Sequence, residues 1–267
     1  MHEASVPGLS VFVVALNEAG RIGETLKAVS GIAAEIVVVD SHSTDDTVAI
    51  ARRHTPHVVV RDWNGYIDQK NHAASLASHD WILSLDADER VTSELAREIQ
   101  ERLARQPAES AFRIPRVTWH LGRWVRTTDW YPDYQLRLYD RRAAQWTGRY
   151  VHEAVSVQGR TGQLRAELVH YPYRDISDHI ETIDRYTTYA ARQMHESGMR
   201  ASLWRLAAHP PLAFLRNYVA RGGFRDGRAG FVISALNSYY VFLKFAKLYE
   251  LQRQSDPQPR DSGVVSR

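Results

Sequence analysis

Short apolar runs alternate with helical patterns through the first hundred positions. Residues 9–16 (LSVFVVAL), 35–40 (EIVVVD), 57–62 (HVVVRD) and 81–86 (WILSLD) read as strands. They are apolar at nearly every position, which suits strands covered on both faces by helices. Residues 21–29, 45–53, 68–77 and 93–104 carry the spacing of helices with one buried side. Together they predict an α/β fold, a Rossmann-like and mostly parallel sheet flanked by helices.

The alternation breaks after residue 104. The stretch 111–171 holds short β-like pieces (AFRIPRV, YQLRLYD, HEAVSV, LRAELVHY) between loops rich in Trp, Gly and Pro, predicting a mixed β extension. From residue 175 the pattern is helical, over 176–197, 201–220 and 229–251. Residues 252–267 are rich in Pro, Ser, Gln and Arg and are predicted to be a disordered tail.

Composition adds bounds. A hydrophobic share of 44% over 267 residues is enough for a real core. The absence of cysteine excludes disulfides, thiolate metal sites and a cysteine nucleophile. No basic stretch followed by an apolar one opens the chain, so the cytoplasm is the expected compartment. The net charge of +3 is uneven: from Arg192 to Leu248, nine Lys or Arg face two acids, Glu196 and Asp226. Such a surface expects an anionic partner.

In an open parallel sheet, ligands collect beyond the carboxyl ends of the strands. The first strand ends in Asn17-Glu18, the second in Asp40 followed by Ser43-Thr44-Asp45-Asp46, and the fourth in Asp86-Ala87-Asp88-Glu89. Asp86 and Asp88 flank one residue, so both carboxylates can approach one ion where the strand runs out. Hard oxygen ligands of this kind suit Mg2+ or Mn2+, whose shells substrate phosphates complete. The plain alternative is a helix-capping Asp86 beside a solvated Asp88; the place at the end of a buried strand favours the ion. Asp40 has two readings. It is an acceptor for a base N–H or ribose hydroxyl, or a turn carboxylate bonded to its own backbone, with Thr44 or Asp45 capping the next helix.

The segments VALNEAGRI, EIVVVDSHSTDDT and WILSLDADE, in this order, resemble the nucleotide-binding half of inverting family-2 glycosyltransferases with the GT-A fold. RVTWHLGRWVR, WYPDYQLRLYDRR, RYVHEAV, LVHYPYRD and GFRDGRAGFVISALNSYYVFLKFAKLYE are similar to the lipopolysaccharide inner-core β-1,4-glucosyltransferase subgroup. The resemblance implies that Asn17 and Glu18 lie by the nucleotide, with Ser43 beside Asp40 as a base or ribose contact. It makes Asp88, with Asp86, the metal site, and Lys70 of Gln69-Lys70-Asn71 the basic contact to the donor. The donor implied is a UDP-sugar, UDP-glucose by this subgroup, and the acceptor a heptose of the inner core or another membrane-linked glycan. The expected organisation is a GT-A catalytic domain over 1–174, a helical segment over 175–251 and the tail. The catalytic domain has a nucleotide-sugar half at 9–104 and an acceptor half at 105–174.

Inversion needs a base to take the acceptor's hydroxyl proton. Many family members carry Glu-Asp or Asp-Glu after the metal motif; this chain departs from that and has His152-Glu153. Glu153 is the candidate base, with His152 orienting it or touching the diphosphate, and Asp133 is the second candidate. Alternation in Gln135-Leu136-Arg137-Leu138 puts Gln135 and Arg137 on one face, away from the leucines. Arg137 there could pair with the leaving diphosphate, whose geometry a guanidinium matches. For Glu153 and Arg137 the plain alternatives are a surface strand and a solvent-facing edge. Trp119, Trp124, Trp130 and Tyr131 are either an acceptor-sugar platform or core.

Residues 229–249 approach a membrane span in length, but Asn237, Ser238, Lys244 and Lys247 interrupt them. A helix lying in the membrane interface is the expectation, and an amphipathic helix packed on the protein its alternative. The predicted protein is thus cytoplasmic and peripheral on the inner face of the cytoplasmic membrane, with no nucleic-acid partner. Two other functions compete with this one. A sugar-phosphate nucleotidyltransferase would carry a Gly-rich, basic loop where Asn17-Glu18-Ala19-Gly20-Arg21 stands. A non-enzymatic membrane adaptor would leave the ordered acids without a role.

Overall fold

The computed structural model of the chain describes residues 8–149 and 152–255, and the side chains of all of these except 149, 152 and 255. They fall into two compact units. One comprises the described residues of Met1–Arg126 and Trp130–Pro172, the other those of Thr127–Asp129 and Tyr173–Arg267.

The first unit opens with β1 (Leu9–Ala15), α1 (Ile22–Val29), β2 (Glu35–Asp40), α2 (Thr47–Ala51), β3 (Val58–Val60), α3 (Tyr66–Leu76) and β4 (Trp81–Asp86). β5 (Glu89–Val91), α4 (Ser93–Ala104), β6 (Ala111–His120), β7 (Arg123–Val125) and β8 (Asp133–Asp140) follow. The unit closes with β9 (Ala144–Arg149), β10 (His152–Val157), β11 (Thr161–Gln163) and β12 (Leu168–His170). The main sheet runs β3-β2-β1-β4-β8-β6-β12-β5, with β7 and β11 also paired to β6, while β9 and β10 form a separate ribbon. β1 is parallel to both β2 and β4; Ala15 lies opposite Asp40 and Val14 opposite Asp86. Two acids predicted to end their strands therefore end at the same edge of the sheet, one on each side of β1.

Successive residues of these strands enter different cores. Val11, Val13, Leu83 and Leu85 pack with Leu26, Leu95 and Ile99 on one face. Phe12, Ile82, Val37 and Val39 pack with Ala73 and Tyr139 on the other. That two-sided burial is why the runs carry no polar alternation. Most of the predicted extension joins the same sheet, β8 lying antiparallel to β4 and β6 antiparallel to β8, while its HEAVSV piece lies in the separate ribbon. α2 starts later than its pattern, because the Asp45 carboxylate accepts from the Thr47 N–H at 3.0 Å, and it ends earlier, at Ala51.

The second unit is helical. α5 (Ile176–Glu196) and α6 (Leu203–Leu215) each begin at an N-cap side chain, Asp175 accepting from Asp178 N–H and Ser202 from Arg205 N–H. α6 contains Pro210 and Pro211 and passes into a π turn at Arg216–Ala220. A 3₁₀ turn, Gly223–Asp226, precedes α7 (Gly227–Ser255). α7 packs against both α5 and α6, burying Ala191, Phe245 and Leu248. The first four residues of the expected tail are helical instead. Gln252 accepts from the Ala201 N–H at 3.1 Å and donates to the Met199 carbonyl at 2.8 Å, so residues 252–255 continue the helix. The rest of that tail lies outside the described residues.

Candidate active site

The tips of β1 and β2 are laced together. Asn17, in the left-handed region at φ 56°, donates its N–H to Ser43 Oγ at 2.7 Å, and its side-chain oxygen accepts from the Thr44 N–H at 2.9 Å. Glu18 donates its N–H to Thr47 Oγ1 at 2.7 Å and pairs with Arg21 at 3.0 Å. Asp40 is fully buried, and both its oxygens accept from Ser43, one from the N–H at 2.8 Å and one from the hydroxyl. This is the turn geometry that the sequence allowed. Ser43 and Glu18 are partly exposed and Asn17 is exposed.

α3 holds the next group through three consecutive side chains. Gln69 is fully buried and donates to Ser41 Oγ at 3.0 Å and to the Asp62 carbonyl at 3.1 Å, fixing the helix to the β2 tip. Asn71 donates to the Trp146 carbonyl at 2.9 Å and accepts from the Trp146 N–H at 3.0 Å, fixing the helix to β9. Between them Lys70, 2% exposed, points its ammonium between Asp86 Oδ1 and Glu153 Oε1, 3.2 Å from each. The same ammonium lies 4.3 Å from the Trp146 ring centroid. The basic residue expected to touch the donor thus joins Asp86, an expected metal ligand, to Glu153, the candidate base. The side chain of His152 lies outside the described residues.

Behind Asp86 lies Arg137, 3% exposed, whose guanidinium contacts Asp86 and donates to Glu89 Oε1 at 2.7 Å. The expected alternation in β8 does not hold. Phe112 pairs with Leu138 and Arg113 with Leu136, so Arg137 is an extra residue at a register shift. Leu136 and Leu138 consequently join different cores. Such a shift re-aims a side chain, and here it takes Arg137 off any solvent-facing edge. Arg116 donates to Glu89 Oε1 at 2.8 Å and to Asp133 Oδ2 at 2.7 and 2.9 Å, while Gln135 holds Asp133 Oδ1 at 2.6 Å. Burial acts to raise the Asp86 pKa, but the charges of Arg137, Lys70 and Arg116 outweigh it and hold the carboxyl well below the ordinary range.

Asp88 follows the strand end. Its Oδ2 lies 3.3 Å from His170 Nε2, and its carbonyl accepts from the Tyr171 N–H at 2.9 Å. Burial works to raise its pKa; the charge and hydrogen bond of His170 more than offset this, against opposition from Asp86, and lower it. Asp88 Oδ1 is buried with no partner among the described residues. An orphaned carboxylate oxygen costs free energy unless something accepts its charge. The five acids Asp86, Asp88, Glu89, Asp133 and Glu153 meet the three bases Lys70, Arg116 and Arg137, with His170 beside Asp88 adding a fourth positive charge only when protonated, so negative charge is in excess. A divalent cation fits both observations. Among the described residues no group of three or more His, Asp or Glu side chains is poised to hold a metal. An ion here would rest on Asp88, with Asp86 and His170 beside it, and on substrate oxygens, as Mg2+ and Mn2+ commonly do.

Glu89, Arg116 and His170 were not singled out by sequence. Glu89 had a legible signal, its place directly after Asp-Ala-Asp; the other two come from strands far along the chain. The aromatic residues are less unified than their spacing suggests. Trp119 pairs with Trp124 at 5.0 Å and Trp124 with Tyr171 at 5.7 Å. Thr118 lies at 3.4 Å from His170, so strand alternation turns Trp119 to the opposite face. Trp130 lies instead 5.6 Å from His120, and Tyr131 donates to Glu167 at 2.8 Å.

Comparison with known proteins bears on this geometry. Residues 10–158 match the family Glycosyl transferase family 2. A lipopolysaccharide core biosynthesis glycosyltransferase, LpsC of Rhizobium meliloti, is 31% identical over 249 residues, covering 91% of this chain and 92% of that protein. An uncharacterized glycosyltransferase of Rickettsia bellii is 32% identical, covering 99% of this chain and 94% of that one. Among solved structures, the mannosyltransferase PcManGT of Pyrobaculum calidifontis, in complex with GDP-Man and Mn2+, covers 91% of this chain and 87% of its own at a TM-score of 0.53 and 15% identity. That likeness concerns the fold, which is GT-A. A family match over more than half the length, and relatives that align nearly end to end, place the chain in glycosyl transferase family 2.

Proposed function

We propose that the protein is an inverting, metal-dependent glycosyltransferase that moves a sugar, glucose from UDP-glucose, onto a lipopolysaccharide inner-core or other membrane-linked glycan. The observation that carries this reading is the buried Lys70 ammonium, which stands between Asp86 of the metal motif and Glu153. Base and metal motif are thereby held within one side chain of each other. The relative named for lipopolysaccharide core biosynthesis supports the acceptor class.

In this reading the nucleotide lies over the laced tips of β1 and β2, against Asn17, Glu18 and Ser43, with Asp40 acting by holding Ser43. Asp88, helped by Asp86 and His170, holds Mg2+ or Mn2+. The bound ion supplies positive charge opposite the departing diphosphate. Glu153 accepts the proton of the acceptor hydroxyl as its oxygen bonds to the anomeric carbon and the bond to the diphosphate oxygen breaks, releasing UDP. Asp133 is the weaker candidate base, since Arg116 and Gln135 occupy both of its oxygens.

The second unit supports attachment to a membrane surface. Leu203 and Trp204 are 81% and 68% exposed, and Leu212, Leu215, Val219, Phe224 and Phe231 are also exposed. Arg200, Arg216, Arg221, Arg225 and Arg228 stand among them on the surface, while the one acid of this stretch, Asp226, is buried. The stretch Gly223–Gln254 is long and apolar enough to cross a bilayer. Its packing on α5 and α6, with Lys247 bound to Asp184 at 2.7 Å, favours a helix lying along the interface.

The deciding experiment measures UDP released from UDP-glucose with purified lipopolysaccharide-core acceptors, with and without chelator. Acceptor-dependent release that chelator abolishes supports the reading. Chelator-resistant turnover refutes the metal; release only from a different nucleotide-sugar refutes the donor.

A further inference from the structure

Glu89 takes no part in the chemistry above, yet its carboxylate is fully buried at the centre of the charged cluster. Oε1 accepts from Arg137 at 2.7 Å and from Arg116 at 2.8 Å, and Oε2 from the Asp86 N–H at 3.1 Å. Each arginine also holds a second acid: Arg137 gives the same nitrogen, Nη2, to Asp86, and Arg116 gives Nε and Nη2 to Asp133. Five charged side chains therefore meet through one carboxylate.

Such a cluster is a poor device for stability alone, because desolvating buried ion pairs commonly costs as much as their attraction returns. What it supplies is direction. A planar guanidinium locked on the shared oxygen has little freedom in where its other contact falls. Arg137 turns the nitrogen it gives to Glu89 onto Asp86 as well, at the strand end. Arg116 turns its Nε–Nη2 edge onto Asp133 and closes it off, although that acid is partly exposed. The register shift at Arg137 serves the same end, because regular alternation would not bring this side chain behind Asp86.

We infer that Glu89 is a positioning residue: it fixes Arg137 against Asp86 and Arg116 against Asp133, and so orients the metal motif while keeping Asp133 out of proton transfer. The inference rests on Asp86 and Asp88 being the metal motif. Groups that orient metal-binding side chains in this way typically change metal affinity by ~10–100-fold when removed.

The test compares Glu89→Gln, Glu89→Asp and, as a surface control, Glu94→Gln in the full chain. Calorimetric titration with UDP plus Mn2+ is paired with the melting temperature of the metal-free protein. Glu89→Gln keeps the shape of the side chain and removes its charge, so Mn2+·UDP binding should weaken by roughly tenfold or more. Glu89→Asp, which keeps the charge, should recover part of the loss, and melting should shift little in either. Wild-type binding in Glu89→Gln overturns the inference. So does a loss of binding that Glu89→Asp does not relieve and that accompanies a collapse in melting temperature, which would mark a structural role only. If the wild type itself gives no heat, the metal reading fails. The inference is then decided by the Nη–H resonances of Arg137 in the metal-free protein. The Nη2 protons should be protected from exchange in the wild type and exposed in Glu89→Gln; equal protection in both overturns the assignment.

Discussion

Asp88 is the residue whose environment makes least sense without a ligand. One oxygen faces His170, the other is buried and unsatisfied among the described residues. Leaving a buried acceptor unpaired costs about 1–3 kcal/mol. Asp88→Ala should therefore have a urea midpoint equal to or above that of the wild type when metal is absent, while the stabilisation that Mn2+·UDP gives the wild type disappears and transfer is lost. A lowered midpoint in metal-free protein would show that Asp88 serves the fold. The role proposed for Glu153 is to take up a proton instead. Glu153→Gln should cut kcat by ~10²–10⁴-fold, the usual worth of a general base, and leave Mn2+·UDP affinity nearly unchanged in calorimetry. A matching fall in Asp133→Asn alone would move the base to Asp133.

Among the elements, α3 does the assembling. Gln69, Lys70 and Asn71 reach respectively to the β2 tip, to Asp86 with Glu153, and to β9. Among the described residues the β9–β10 ribbon, which carries Glu153, pairs with no other strand, so its position depends on contacts such as those of Asn71. Asn71→Ala removes both side-chain bonds to Trp146 and should cost about 1–3 kcal/mol in urea denaturation. It should also lower kcat more than it raises KM for the donor, since the base loses its place before the nucleotide site does. An unchanged kcat would show that the ribbon holds itself. The lysine between these anchors carried a signal in its motif; its ion pairs did not, because they need Glu153, from a distant strand.

At the scale of the molecule, charge and apolar exposure are concentrated in the helical unit. From Arg192 to Leu248 nine bases oppose two acids. Leu203 and Trp204 project into solvent at the start of α6 without core contacts to lose. Leu203→Ser with Trp204→Ser should leave melting and UDP release from soluble acceptor unchanged, and should sharply reduce co-sedimentation with phosphatidylglycerol vesicles. Undiminished sedimentation would remove α6 from the membrane contact. Electrostatic attraction to such vesicles should fall with added salt, as exposed charges are screened over ~8–10 Å at physiological ionic strength.

The sequence by itself determined the parallel half of the sheet, the helices between its strands and the acids at the strand ends. Runs buried on both faces, and polar residues that stop them, are local properties that the chain writes in order. It determined the family too, through motifs whose order is itself informative. Only the tertiary structure decided which charged side chains meet. Glu89 with Arg116 and Arg137, Asp88 with His170, and Lys70 with Glu153 are partners from separate strands and a helix, brought together by sheet order. The register shift that buries Arg137 is likewise invisible to alternation. Periodicity reports which face of its own element a residue occupies. Ion pairing depends on the neighbour across that face, and long-range packing alone chooses it.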